Sequence, residues 1–284
     1  MRRSLAQSSG GAIRLELSGP ALSGSLQRLV AGCEEAGGVE QYVRALEVKG
    51  ALFRDLLGEG GARAATLEPE ALRTLCAFMP TVRRRIGPWL ERPAYDALRE
   101  DILGLLAAAP GGAIDARLGA FGTRFCGGER PRWVRDLGAE LLHQLDPERI
   151  PLMTRWVWDR ATNTGVLREI WFGAEGASID VPDSQAAFLA LREELSGFLG
   201  SHGVFRDVIH YVDLLCAQVY AEYICTQGGS YLRVDFSAAD DPSPFTRRLL
   251  GLDGIKCGSH GARARNIDGC LGAHPGAAAR RMLD

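Results

Sequence analysis

A chain of 284 residues is long enough for one large domain or two ordinary ones, and 33 Lys and Arg against 35 Asp and Glu give it no general attraction to nucleic acid or anionic membrane. An apolar fraction of 46% and a charged fraction of 24% are those of a globular protein. No window reaches the roughly 18 uninterrupted apolar residues of a membrane-spanning helix, the nearest being Ile102–Ala113, broken by Pro110-Gly111-Gly112.

Residues 1–18 carry cations but no apolar run with a small-residue cleavage site, so a disordered tail is expected rather than a secretory signal. The Arg- and Ser-bearing start, free of acid until Glu16, also suits an organelle presequence. Pro20–Cys33 predicts the first helix. Val39–Leu57 predicts a stronger one, because Val39, Tyr42, Val43, Leu46, Leu52, Leu56 and Leu57 follow much of a helical period and Gly58 supplies a stop. Glu68–Phe78 follows, with Pro69 suited to a first turn and Pro80 ending it. From Thr81 the chain breaks at Gly87-Pro88, restarts near Pro93 and runs on as an amphipathic helix. Ile114–Phe125 is a weaker helix, and Cys126-Gly127-Gly128 reads as a linker closing a helical block over 19–126.

A second helical block is expected over 129–252. Arg132–Leu145 is helical, and Asp146-Pro147 marks the next turn. The stretch 154–172 fits two readings: a small β-hairpin around Asn163-Thr164-Gly165, since Trp156 and Trp158 alternate and Val166–Phe172 favours strand, or a helix–loop–helix. Ser184–Leu199 predicts a clean helix after Pro182-Asp183. Val204–Phe236 then predicts a long helix closed at Gln227-Gly228-Gly229, with Val208, Val212, Leu215, Val219 and Tyr223 as a single apolar stripe. A short helix after Pro242 and Pro244 completes the block, and 253–284, rich in Gly, Ala and Arg, reads as a flexible tail. The fold class is all-α and bundle-like, with at most the one hairpin near 155–172.

Three places could hold chemistry. In the tail, Cys257-x2-His260 and Cys270-x3-His274 offer four nitrogen and sulfur ligands of the kind zinc takes tetrahedrally; an unliganded tail is the competing reading, since the segment lacks the apolar residues that brace a small zinc module. On the long helix, Asp207 and His210 share a face, with Glu222 further along. A carboxylate beside an imidazole is the minimum for a general base or a metal ligand, and equally a local pair at a helix start. The third place is an aromatic and cationic cluster of Trp133, Arg155, Trp156, Trp158, Arg168 and Trp171, whose composition suits a partner-binding surface or a core built on large rings.

Seven cysteines without a signal peptide or a Cys-x-x-Cys pair read as reduced thiols, and Cys216 and Cys225 as packing residues. The Arg preference, with Lys49 and Lys256 the only lysines, follows a compositional bias, so no arginine is taken by itself as an anion clamp. No Gly-x-Gly-x-x-Gly, Walker loop, His-Glu-x-x-His or Gly-x-Ser-x-Gly is present. The expectation is a non-catalytic cytoplasmic accessory or adaptor protein acting through a protein partner or self-association. The alternatives are a metal- or thiol-dependent enzyme or redox accessory component built on Asp207/His210/Glu222 or the Cys/His tail, with zinc as the candidate metal, and a weak nucleic-acid binder through patches such as Arg83-Arg84-Arg85.

Overall fold

The structure, a computed structural model of the chain, describes residues 13–107, 113–173, 178–231, 242–256 and 263–264, with backbone only at 227–231, 256 and 263–264. The fold is all-α. In chain order the helices are α1 (Gly19–Cys33), α2 (Val39–Leu57), α3 (Pro69–Ala77), α4 (Ala94–Leu106), α5 (Ile114–Ala120), α6 (Thr123–Cys126), α7 (Arg132–Leu145), α8 (Val166–Glu169), α9 (Gln185–Ser201), α10 (Val208–Tyr231) and α11 (Ser243–Leu249). A two-residue antiparallel pairing joins Ile255–Lys256 to Arg263–Ala264.

The predicted punctuation largely sets these limits. Ser18 caps α1, its hydroxyl accepting from the Ala21 amide, and Pro20 sits in the first turn where no N–H is needed. Gly58 ends α2 with φ +75°, and α7 lies between Pro131 and Asp146-Pro147. Residues 16–18 do not lie free: Leu17 bridges Trp171, the Ser18 amide donates to the Ile170 carbonyl at 2.7 Å, and the Phe172 amide to the Glu16 carbonyl at 2.7 Å.

The stretch 154–172 takes neither expected form. Asp159 and Thr164 form one antiparallel bridge around Asn163, whose φ is +52°, but the second limb is the single helical turn α8 and not a strand. Gly165 makes the switch. Its φ is +120°, a Cβ there would lie 2.7 Å from the Val157 carbonyl oxygen, and its own carbonyl accepts from the Arg168 and Glu169 amides to start the turn.

Two expectations for the long helix are corrected. It does not break at Gln227-Gly228-Gly229 but runs through to Tyr231. Nor is it amphipathic at its centre. Val212, Leu215 and Val219 are buried as predicted, yet so are Asp213, Leu214, Cys216, Ala217 and Gln218 on the other faces. A helix buried all round is a central one. α10 is packed by α1, α2, α8, α9 and α11, and the core is continuous from Leu22 to Ile255, drawing on both halves of the sequence.

Polar groups within this core and at its edge tie the helices together. On α10, Glu222 accepts from Arg28 Nε and Nη2 (2.8 and 2.7 Å) and Ser25 Oγ (2.8 Å) of α1, and from Gln218 Nε2 (2.8 Å). Gln218 Oε1 in turn accepts from Thr246 of α11 at 2.9 Å. The turn after α11 is fixed by Gly251, with φ +70°, where a Cβ would fall 1.9 Å from the Phe78 carbonyl oxygen.

Candidate functional site

The residues singled out in the sequence are distributed rather than gathered. Cys257, His260, Cys270 and His274 lie outside the described residues. Asp207 immediately precedes α10 in a left-handed conformation (φ +53°), its carbonyl accepting from the Tyr211 amide, and among the described residues no hydrogen bond joins it to His210. Glu222 is fifteen positions further on, about 22 Å along the axis at 1.5 Å per residue, and is consumed by the Arg28–Ser25–Gln218 network. These three side chains therefore build no common site.

Trp89, Trp133 and Trp156 fall in two ring clusters. Trp133 is buried against Phe125, which also meets Trp89 and Phe121, whereas Trp156 is buried against Tyr220, itself in contact with Tyr223. Trp158 is fully enclosed, its indole N–H donating to the Val181 carbonyl at 3.1 Å. Arg155 pairs with Asp136, while Arg168 and Trp171 are half-buried. Of the basic run, Arg83 pairs with Asp253 at 2.9 Å and Arg85 donates to the Thr81 carbonyl. Burial pushes the Cys76, Cys126 and Cys216 thiols up, which keeps them protonated at neutral pH and poor as nucleophiles.

Two polar constellations emerge instead, each including a row of three residues on one face of a helix. The first is on α7, where Asp136, Glu140 and His143 stand at i, i+4 and i+7 and are all buried. Asp136 Oδ2 meets Arg155 Nη2 at 2.9 Å and Oδ1 accepts the Arg155 amide at 3.0 Å. Glu140 meets Lys49 of α2 at 3.0 Å, and that ammonium also donates to the Leu250 carbonyl at 2.9 Å. His143 Nε2 is 3.0 Å from Asp213 of α10, and Nδ1 is 2.8 Å from the Ile150 carbonyl. The Glu140-x-x-His143 spacing is legible in the sequence and is the signal that points to this face. Among the described residues no cluster of three or more His, Cys, Asp or Glu is arranged to hold a metal ion, and here Lys49 occupies the carboxylate that such a spacing would otherwise offer.

The second constellation is a surface groove of about 540 Å³ between α2 and the Gly203–Asp207 loop. Glu40, Arg44 and Glu47, again at i, i+4 and i+7, form one wall; Val43, Val204 and Tyr211 lie between the walls; Phe205, Arg206 and Asp207 form the other. Phe205 is 78% exposed, the highest exposure among the large apolar side chains of the described residues. Left-handed backbone at Gly203 (φ +86°) and Asp207 brackets it and turns it outward. Burial, then the Glu40 carboxylate to which it donates, pushes the Tyr211 phenol up, so it remains a donor. Arg44, Glu47, Arg206 and Asp207 have no ion-pair partner among the described residues. Phe205 had no signal in the sequence, because a single aromatic between Val204 and Arg206 has no periodic companion.

No protein-family model matches the chain, no curated protein matches it, and no solved structure matches it.

Proposed function

We propose that the protein is a non-catalytic accessory protein that holds a protein partner, or a second copy of itself, in the groove between α2 and the Gly203–Asp207 loop. The observation that carries this reading is Phe205, a large apolar side chain held out in solvent at the rim of the groove by a backbone that is itself unfavourable at Asp207. Four charges of both signs, without an ion-pair partner among the described residues, around an aromatic anchor make a contact that is specific in register rather than merely adhesive. The tryptophans favour the same choice of site indirectly, since Trp133, Trp156 and Trp158 are enclosed and have little surface to offer. Thiols pushed up by burial weigh against a thiol-dependent enzyme.

Site-specific photocrosslinking tests the proposal. A benzophenone amino acid at position 205 is expected to give one discrete adduct in cells, which light scattering of the purified protein then assigns to a second copy or to another chain. The same probe at Phe172, which is 66% exposed and does not line the groove, should not give that adduct. Identical products from both positions, or none from 205, would remove the proposal.

A further inference from the structure

His143 stands in the last turn of α7 with an acceptor facing each ring nitrogen: the Ile150 carbonyl 2.8 Å from Nδ1 and Asp213 Oδ2 3.0 Å from Nε2. A carbonyl only accepts, and so does an ionised carboxylate. A neutral imidazole has one N–H and satisfies one of these two contacts. Closing both requires one further proton, on the imidazole or on the carboxylate it faces. Both side chains are buried, so a ring lone pair turned on a carboxylate would find no solvent to relieve it. We propose that His143 and Asp213 form a proton-operated clasp, which pins the connection between α7 and α8 at Ile150 to the N-terminal half of α10 and releases it when the extra proton leaves. This inference is independent of the groove's occupant.

The groups facing the imidazole set the direction. From α10 come Asp213 and the Cys216 thiol, which its own burial and the Asp213 charge keep neutral. From α7 comes Glu140, engaged by Lys49 of α2. From α9 comes Arg192, which shares the adjoining cavity but is held on the Pro147 carbonyl at 2.9 Å. The α7–α8 connection supplies a backbone carbonyl and no charge. Burial alone would lower the imidazole's pKa. The Asp213 charge and hydrogen bond, the Ile150 carbonyl and the Glu140 charge outweigh it and hold the group above its ordinary 6.5. A group raised in the folded state contributes fully below its unfolded pKa and loses that contribution as pH rises through the folded one. The clasp is thus closed at pH 6.5 and below and opens on the alkaline side. Beside it lies a cavity of about 20 Å³ lined by Leu152, Phe188, Leu191 and Val212, room for a single water to enter as the contact parts.

Amide hydrogen exchange of the full chain, followed between about pH 6 and 9 and corrected for intrinsic rates, reads the clasp directly. Opening of segments 147–152 and 208–216 should rise roughly tenfold for each pKa unit by which the imidazole is raised, while α4 stays unchanged. Asp213→Asn supplies an amide donor to Nε2, so a neutral imidazole closes both contacts and the pH dependence of those segments should vanish. His143→Gln should abolish it too, by removing the titrating ring, and decides the matter if the first variant does not fold. A native protein without the slope, a slope shared equally by α4, or a slope that survives in either variant would overturn the clasp.

Discussion

The buried face of α7 and the exposed face of α2 carry polar residues at the same spacing and use them in opposite ways. Asp136, Glu140 and His143 are enclosed, and each meets a partner from a different element: Arg155 in the α7–α8 connection, Lys49 on α2 and Asp213 on α10. Glu40, Arg44 and Glu47 face a groove, and among the described residues Arg44 and Glu47 meet no counter-charge. An i, i+4, i+7 row says only that three side chains share a face. What the face meets decides whether they bolt the fold together or remain available to something outside it. Desolvated charges have to be paired at home, whereas solvated ones can wait for a partner at little cost.

If that contrast is right, the α7 face should be intolerant of single changes. The largest effect is expected for Lys49→Met, which leaves Glu140 as an unpaired buried carboxylate and removes the donor to the Leu250 carbonyl; a loss of about 3–5 kcal/mol in urea unfolding is expected. Replacing both partners, Lys49→Met with Glu140→Leu, should recover most of it, because the cost lies in the orphaned charge rather than in the lost attraction. A double variant as unstable as the single would show that the pair itself, not its completeness, holds α2 to α7. Gly251→Ala comes next, at about 2–3 kcal/mol by the same measurement, since the new methyl meets the Phe78 carbonyl at a φ that favours glycine.

Glu222 lies between the two extremes, half-buried and fully hydrogen-bonded. Glu222→Gln removes an acceptor from Arg28 or Ser25 and is expected to cost about 1–2 kcal/mol at neutral pH. Burial alone would push this carboxyl up, but the hydrogen bonds from Arg28, Gln218 and Ser25 outweigh it and hold it below its ordinary 4.5. Its contribution is therefore present above pH 4.5 and lost as pH falls through the lower folded value. The deficit of the variant, followed by urea unfolding as a function of pH, should shrink in acid; a deficit independent of pH would mean that shape rather than charge is responsible.

How much of this was legible in the sequence follows the range of the signal. α2, α7 and α9 stood out because their periods are strong and Pro, Gly, Asp or Ser mark their ends within a residue or two. The centre of α10 reads as one-sided in sequence because its polar residues suggest a wet face, whereas Gln218 and Asp213 are satisfied by Thr246 and by His143, 28 and 70 positions away. Sequence spacing has no means of showing such partners. The same limit hid the proposed site: the tryptophans advertise themselves by size yet are mostly enclosed, while Phe205 is defined by exposure and by left-handed turns on either side, both properties of the folded chain.

The smallest expected effect is the sharpest test of the contrast. Phe205 is 78% exposed, and Phe205→Ala should change unfolding free energy by no more than about 0.5 kcal/mol, since no core contact is removed. Asp207→Gly, which relieves the left-handed backbone, should stabilise by up to about 1 kcal/mol. Both changes should nonetheless weaken whatever the groove holds, the first by deleting the anchor and the second by loosening the turn that presents it. Loss of binding without loss of stability would mark Phe205 as a contact residue of the proposed groove rather than a structural one. If Phe205→Ala instead unfolded the protein at markedly lower urea, Phe205 would belong with the α7 face as a structural element, and the groove would lose its claim to be the working surface.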